Sequence, residues 1–273
     1  MQFRPLSHIY HIESTKNPKV KEYKRLYEKS RHRKDTGLFI IEGLQESNIA
    51  YQSNYEIIEV LFCPDFISLE QVHTHVPVNS HTTFIPVNKE VINDLAMRKS
   101  IANIICLART KSHDLQNFIH QAGNHYLVCE SIEKPGNLGA MARTAHALGI
   151  SAIILANPLC DIYNPNAIRS STGSIFGLPI LQGSHQEVQD WLGQHDVITY
   201  ITHMHKEAIL LPHIIIKNST AWVLGTETSG ISSHWLNKGF TNVIIPQNPQ
   251  VDSLNVSNAA AIILYNLYTN THK

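Results

Sequence analysis

Two polar residues, Asn137 and Arg143, follow an apolar segment in the middle of the chain. Residues 130–137 read ESIEKPGN, and Asn137 is followed six positions later by Arg143. Asparagine is a favoured N-cap, so we expect a helix to begin at Asn137 and to carry Arg143. A buried guanidinium among small apolar residues requires an anionic partner. The pair therefore predicts either a polar ligand site or a capped helix with a structural salt bridge.

A second loop combines two glycines with a single acid. Residues 224–231 read LGTETSGI, so Gly225 and Gly230 flank Glu227. Glycine lets the backbone approach a ligand more closely than any other residue does. An ordinary loop between a strand and a helix would have the same composition, so this loop alone does not decide between the two interpretations.

A third loop carries more polar side chains than its helix needs. Ser253, Asn255 and Ser257 crowd the start of a predicted C-terminal helix. Capping requires only one of them, which leaves the others free for a ligand. The small residues at 258–261 allow another helix or backbone to pack closely.

The segments that must position these loops are continuous apolar stretches, typical of parallel strands buried on both faces. Such strands are predicted at 126–131, 151–157, 197–202, 220–225 and 241–246, with helices at 138–149 and 254–270. Ligands of open α/β sheets bind beyond the carboxyl ends of the strands. The three loops therefore predict one site, suited to a nucleotide-like ligand held by backbone. The chain has no P-loop or GxGxxG motif, and nothing in it supports a hydrolytic triad.

The N-terminal part alternates shorter strands and helices, which predicts a small α/β domain. Strands are expected at 38–42, 56–63, 82–87 and 102–108, and helices at 43–52 and 88–97, the second capped by Asn88. The polar segment 109–124 is interpreted as a linker with a short helix. We therefore predict domains at 1–108 and 125–273, joined by this linker.

Charge is balanced over the whole chain but not along it. The 22 basic residues equal the 22 acidic ones, yet residues 16–34 hold nine basic and only two acidic side chains. Such clustering favours an anionic partner at the N-terminal end, although a solvated helix face is an equal alternative.

Cysteine positions, hydropathy and histidine spacing indicate where the protein is located and whether it binds a membrane or a metal. None of the four cysteines forms a CxxC pair and three lie in apolar segments, so buried reduced thiols and a cytoplasmic protein are expected. No apolar stretch approaches the length of about 20 residues that spans a membrane. Without an HExxH motif, and with only His203 and His205 closely spaced, no metal site is expected.

Taken in order, the loops resemble the motifs of the SpoU (TrmH-type) branch of the SPOUT methyltransferases. Residues 137–145 are similar to N-x-G-x-x-x-R-T-A, residues 225–230 to G-N-E-G-x-G, and residues 245–257 to I-P followed by S-L-N-V-S. Between them, residues 169–179 are similar to R-x-S-x-G-A-x-F-x-x-P. The resemblance covers roughly residues 126–270.

This resemblance implies an RNA ribose 2′-O-methyltransferase that uses S-adenosylmethionine, requires no metal, and folds as an α/β-knot whose deep trefoil knot holds the bent cofactor. It further implies a homodimer whose site uses both subunits. The implied catalytic residues are Arg143, Asn137, Glu227, Ser253 and Asn255. The implied cofactor-binding residues are Leu224, Gly225, Thr226, Glu227, Gly230, Ile245, Ser253 and Leu254. Arg143 would be either the base or the group that positions a phosphate, because a guanidinium is normally always charged.

The N-terminal segment resembles the substrate domain, similar to ribosomal protein L30e, that is fused to many members of this family. The positions that carry the resemblance are Ser14, Asn17, Pro18, Val20, Lys21, Arg33, Phe39, Glu42 and Gly43. Such a domain binds structured RNA and favours ribosomal (23S) RNA over transfer RNA. The predicted RNA-binding residues are Lys16, Lys21, Arg31, Arg33 and Lys34, together with Arg143.

The chain departs from the family pattern at three positions. Thr226 replaces the usual Asn, Thr228 the usual Gly, and Lys134 the acid that often precedes the proline. The two threonines put the shape of the second loop and its cofactor affinity in question. Alternatives to ribosomal RNA methylation are transfer RNA ribose methylation and RNA binding without catalysis. Methylation of an antibiotic site in ribosomal RNA would be the same chemistry with another target.

Overall fold

The computed structural model describes residues 11–77, 81–97, 103–226, 229–236, 238–248, 250 and 253–272. The chain divides into two compact units. The first consists of Met1–Lys111 together with Tyr163–Arg169, and the second of Ser112–Ile162 together with Ser170–Lys273.

The first unit is a small α/β structure built around a four-stranded sheet. Its elements along the chain are α1 (Pro18–Glu28), α2 (Ser30–Thr36), β1 (Leu38–Glu42), α3 (Leu44–Gln52), β2 (Ile57–Phe62), α4 (Leu69–His75), β3 (Thr83–Pro86), α5 (Lys89–Leu95) and β4 (Ile104–Arg109). The strand order is β1-β4-β2-β3, in which only the β2–β3 pair is parallel. All four predicted strands are present, and Asn88 caps α5 by accepting from Val91 N at 2.9 Å.

The basic segment near the N-terminus is helical because its few apolar residues recur at helical spacing. Val20, Tyr23 and Leu26 lie three positions apart and are buried on one face of α1. Asn17 caps this helix and Pro18 occupies its first turn, an arrangement that favours helix initiation. The remaining positions of α1 carry the cations.

The second unit contains the longer sheet and the loops singled out above. Its elements are β5 (His125–Glu130), α6 (Pro135–Ala147), β6 (Ala152–Ala156), α7 (Pro165–Ser171), α8 (Ser174–Gly177), β7 (Ile180–Gly183), α9 (His185–Gln194), β8 (Ile198–Thr202), β9 (Ile209–Leu210), β10 (Thr220–Leu224), β11 (Thr241–Ile244) and α10 (Val256–Thr271). Most of α7 belongs to the segment that clusters with the first unit.

The seven strands of this sheet follow the order β7-β6-β5-β10-β8-β11-β9, and every neighbouring pair is parallel. All residues of the central strand β10 and of β6 are buried. The predicted fold class, α/β with a mostly parallel sheet, is confirmed. Two short strands, β7 and β9, had not been predicted.

The segment 112–124 is part of the second unit, so the predicted linker is wrong for these residues. Leu115 is 1% exposed in the core beside Tyr126 and Trp191. Gln182 N donates to His113 O at 2.7 Å, which attaches the segment to β7. The apolar side chains Leu115 and Phe118 explain this, because each gains by burial against the sheet. The predicted short helix is present as a 3-10 turn, Leu115–Asn117.

All four cysteines are free, and Cys63, Cys106 and Cys129 are buried, as expected from their apolar surroundings. Burial raises the pKa of Cys106 to about 12 and that of Cys160 to about 11, so both remain protonated thiols near neutral pH. In the described part of the chain, no helix is both long and apolar enough to cross a membrane.

Stability of the second unit should fall on acidification, because burial lowers the pKa of His125 and His120. Each folded pKa lies below the unfolded value of about 6.5. As pH falls below that value, the unfolded state therefore binds more protons at these histidines than the native state does, and the free energy of unfolding decreases. Urea unfolding at pH 7.5 and 5.5 should show a smaller loss for the double variant His120→Gln, His125→Gln than for wild type. An equal loss in both proteins would contradict the prediction.

Candidate functional site

The first loop leads into α6, but the helix starts earlier than predicted. Lys134 is the N-cap and Pro135 the first helical residue, so the prediction of Asn137 as N-cap is wrong. Proline fixes the φ angle that a helix requires and lacks the N–H that would remain unpaired there. Asn137 thus lies within the first turn, where its side chain does not serve as the cap.

Asn137 instead meets the third loop. Asn255 Nδ2 donates to Asn137 Oδ1 at 3.4 Å, a long hydrogen bond between residues 118 positions apart. Asn255 is also the N-cap of α10, where its Oδ1 accepts from Ser257 N at 2.9 Å and from Ser257 Oγ at 2.6 Å. Helices α6 and α10 pack against each other. The first and third loops therefore meet at the starts of two packed helices.

The second loop is closed by its own backbone. Thr226 N donates to Gly230 O at 2.9 Å, and Gly230 N donates to Thr226 O at 3.1 Å. A Cβ on Gly225 would lie 2.1 Å from the carbonyl carbon of Gly230 and 2.4 Å from Ile231 N. Only glycine fits at position 225, because backbone atoms occupy the space of a side chain.

Thr226 takes part in this closure through its side chain. Its hydroxyl oxygen accepts from Ser229 N at 3.0 Å, a local turn that Asn, Ser and Thr side chains can all form. The replacement of the usual Asn by Thr226 is thus compatible with a closed loop. Glu227 and Thr228, which the sequence also singled out, lie outside the described residues.

Two adjoining cavities lie beyond the carboxyl ends of β8, β10 and β11. Their volumes are about 440 and 540 Å³, within the range of small-ligand sites. Both are lined by Thr202, Met204, Gly230, Ser253, Leu254 and Ala259. The second and third loops thus border one continuous recess.

The described residues predicted to bind a cofactor all border this recess. One cavity is lined by Leu224, Gly225, Thr226, Gly230, Ser253, Leu254 and Asn255, and the other adds Ile245. Sequence reasoning missed Thr202, the last residue of β8, and His203 and Met204, which follow it. Strand β8 had been predicted, but its position beside β10 cannot be read from the sequence.

Arg143 is not among the residues that line the recess. It is exposed on α6, lines neither cavity, and has no ion pair with any residue that the structure describes. Six residues advance an α-helix by about 9 Å and rotate it by roughly 240°, so Arg143 and Asn137 face different directions. The alternative of a structural salt bridge thus finds no support among the described residues.

The predicted RNA-binding cations of the first unit differ in accessibility. Lys16, Lys21, Arg31 and Lys34 are exposed. Arg33 is 2% exposed and its Nη1 donates to the backbone oxygens of Leu26 and Tyr27, so its prediction as an RNA contact is wrong. Those carbonyls lie at the C-terminal end of α1, where a buried cation is stabilised by orphan acceptors.

Residues 124–265 match the SpoU rRNA methylase family, which is more than half of the chain. This chain belongs to the SpoU rRNA methylase family. The predicted family, and with it the predicted enzyme class of methyltransferase, is confirmed. Residues 17–106 match the MRM3-like substrate binding domain, so the predicted N-terminal substrate domain is confirmed as well.

Several relatives of this SpoU protein align with nearly its whole length. The 23S rRNA (guanosine(2553)-2′-O)-methyltransferase RlmP of Bacillus subtilis is 29% identical over 94% of this chain and 98% of its own. A crystal structure of an RNA 2′-O ribose methyltransferase is 35% identical with a TM-score of 0.83, covering 96% of this chain and 99% of that one. The structure of an S-adenosylmethionine-bound rRNA methyltransferase from Sinorhizobium meliloti is 25% identical with a TM-score of 0.86, covering 97% and 99%.

Proposed function

We propose that this protein transfers a methyl group from S-adenosylmethionine to a ribose 2′-hydroxyl in ribosomal RNA. The observation that carries the proposal is the recess bordered by the second and third loops, with Asn137 of the first loop bonded to Asn255 at its edge. Relatives that align over nearly the whole chain carry the names of 23S rRNA 2′-O-methyltransferases. The N-terminal substrate domain further favours ribosomal over transfer RNA.

The recess fits the cofactor. Close backbone packing at Gly225 and Gly230 leaves no room for a side chain at position 225, so backbone forms this part of the cavity wall and an adenosine could bind there without side-chain charge. Leu224, Gly225, Ile245 and Leu254 would hold it. When bound, S-adenosylmethionine supplies a methyl group already activated by its sulfonium.

The protein must therefore orient the hydroxyl and handle its proton. Asn137 and Asn255 offer amide groups, and Ser253 a hydroxyl, at the edge of the recess where the ribose would bind. Arg143 could accept the proton as a base or bind the phosphate beside the target ribose. A guanidinium is poorly suited to accept a proton but binds two phosphate oxygens through its planar fork, which favours the phosphate role.

We further propose a homodimer, a trefoil knot at the C-terminal segment, and a site completed by the partner subunit. The position of Arg143 outside both cavities supports a shared site, because it could then serve the recess of the partner. The exposed apolar side chains of α10, Ile262 (41%), Tyr265 (62%) and Tyr268 (38%), offer a surface for association. Ile263, Leu264 and Leu267 of the same helix are buried within the subunit. A cytoplasmic location and a metal-independent reaction belong to the same proposal.

Light scattering at tens of micromolar is expected to give twice the mass of one chain. The double variant Ile262→Glu, Tyr265→Glu should be monomeric and inactive, because two like charges on this surface would have to be buried without partners. Ile215→Glu is the matched control, since Ile215 is 74% exposed elsewhere on the second unit and its variant should remain dimeric. A monomeric wild-type protein would contradict the proposed assembly.

The proposed activity is tested by mapping 2′-O-methyl groups in the ribosomal and transfer RNA of a strain that lacks the gene. One ribosomal site should lose its methyl group and regain it when the wild-type gene is returned. Loss of a methyl group at a transfer RNA site instead would contradict the proposal that ribosomal RNA is the substrate. If no site changed in either RNA, the purified protein's failure to transfer labelled methyl groups to RNA from that strain would overturn the activity.

RNA affinity should depend steeply on salt through the exposed cations of the first unit. Replacing Lys16, Lys21, Arg31 and Lys34 by Gln should flatten the slope of log affinity against log salt by about 3, since each phosphate contact contributes about 0.7 to 0.9. Lys24→Gln is the control, because Lys24 already pairs with Asp94. Filter binding of a ribosomal RNA fragment at several salt concentrations measures this slope, and an unchanged slope would refute the role of these cations.

A further inference from the structure

A buried acid that the proposed mechanism does not use lies at the end of β5. Glu130 is 2% exposed. Its Oε2 accepts from Ser232 N at 2.9 Å, and its Oε1 accepts from Ser232 Oγ. His185 Nε2 lies 2.9 Å from the same Oε1, and the His185 side chain is only 12% exposed. One carboxylate therefore contacts Ser232 twice and His185 once.

Packing alone does not explain an acid at this position. The residue paired with Glu130 on β6 is Ala156, and the last residue of the neighbouring β10 is Leu224, both apolar and buried. A buried carboxylate is costly unless hydrogen bonds compensate for its lost water. An apolar residue would fill the strand end without that cost, so the carboxylate points to a specific task.

That task is indicated by the position of Ser232. It lies two residues after Gly230, at the end of the second loop, where Gly230 and Ile231 line the recess. The backbone at Gly230 and Ile231 also packs directly on Gly225 without space for a methyl group. Because the chain is so tightly packed there, a displacement of Ser232 would be transmitted to the wall of the recess.

We propose that Glu130 is a positioning residue for the cofactor loop, defined here as residues 225–232. It holds the end of this loop against β5 through Ser232, while His185 Nε2 lies close to the carboxylate without a hydrogen bond to it. The proposal rests on the proposed function only in that the loop binds S-adenosylmethionine. Loss of the carboxylate should therefore weaken cofactor binding more than it slows methyl transfer at saturating cofactor.

The test compares Glu130→Gln, Ser232→Ala and the double variant with wild type, in the full-length protein. S-adenosylhomocysteine and S-adenosylmethionine are titrated by calorimetry, and the KM for S-adenosylmethionine and the kcat are measured separately. Each single variant should raise the Kd about tenfold, the range expected for loss of a hydrogen bond to a charged group. The double variant should not exceed the larger single effect by another tenfold, because both changes affect the same bond between the Ser232 hydroxyl and Glu130.

Glu187→Ala is the matched control, since Glu187 belongs to the capping box of α9, where its side chain accepts from Ser184 N and makes no hydrogen bond to Ser232 within the described chain. It should lower Tm while leaving the Kd unchanged. If Ser232→Ala and Glu130→Gln likewise lower Tm without changing the Kd, Glu130 is merely structural and the proposal fails. If Glu130→Gln does not fold, Ser232→Ala decides alone. Absence of binding by wild type would instead overturn the proposed function.

Discussion

Gly225→Ala is expected to raise the Kd for S-adenosylmethionine by more than about 100-fold. The new methyl carbon would lie 2.1 Å from the carbonyl carbon of Gly230 and 2.2 Å from its oxygen. Backbone atoms cannot move aside as a flexible side chain can, so the loop must open and lose the wall of the recess. A loss of that size corresponds to about 2.7 kcal/mol. Calorimetric titration of the purified variant measures it.

Gly193→Ala serves as the control for the general effect of adding a methyl group. Gly193 lies in α9, and a Cβ there would meet no atom within 4 Å. Alanine in a helix interior is favoured over glycine by about 0.5 to 1 kcal/mol. This variant should be at least as stable as wild type and bind the cofactor normally. Normal binding by Gly225→Ala would mean that the cofactor lies elsewhere.

Arg143→Ala is expected to lower methyl transfer at least about 100-fold while cofactor affinity stays near that of wild type. Arg143 lines neither cavity, so its removal leaves the cofactor contacts intact. Its contribution lies in binding the phosphate beside the target ribose and so orienting the hydroxyl, a transition-state effect that appears in the rate. Single-turnover methyl transfer at saturating RNA, alongside a cofactor titration, measures both quantities.

Two further variants sharpen the interpretation of Arg143. Arg143→Lys should recover little activity, because a lysine lacks the planar fork that binds two phosphate oxygens. Lys217→Ala removes an exposed cation three residues before β10, at the opposite end of that strand from the recess, and should leave the rate unchanged. An Arg143→Ala protein with the wild-type rate, or one unable to bind cofactor, would refute the assigned role.

The same variants test whether two subunits share the site. If the arginine of one subunit serves the recess of the other, a heterodimer of Arg143→Ala and Gly225→Ala subunits contains one intact site. Mixing the two inactive proteins under conditions of subunit exchange should then restore part of the activity. Activity that stays absent after exchange has been verified would place both residues in the same subunit's site.

Much of the second unit was predictable because its strands are buried on both faces and therefore read as continuous apolar stretches. The loops at their carboxyl ends carried the polar and glycine residues, and the structure brings the described parts of the second and third loops to one recess. Strand β9 escaped prediction because Ile209 and Leu210 form a two-residue pairing at the sheet edge, where both stay exposed.

Other errors arose where tertiary structure overrides local preference. Asn137 is a good N-cap by residue type, yet the helix begins two residues earlier, at Pro135. The Asn137 side chain therefore does not cap the helix and instead accepts a hydrogen bond from Asn255. Arg33 resembles its basic neighbours in sequence, but it alone of the predicted RNA contacts in that segment is buried under helix-end carbonyls. The contact of Glu130 with Ser232 joins residues 102 positions apart, and no local pattern announces it.

The order of strands in the large sheet has a consequence for how the protein folds during its synthesis on the ribosome. Strand β5 can pair with β6 almost at once, but its other edge is completed by β10, with His125 opposite Thr220 and 95 residues between them. At about 5 to 20 residues per second, that edge waits roughly 5 to 20 seconds after its own synthesis. During this interval an apolar strand edge is open to pairing with other nascent chains. Slow translation of the segment between these two strands would lengthen the exposure. The rate of translation there should therefore affect how much protein reaches the folded state.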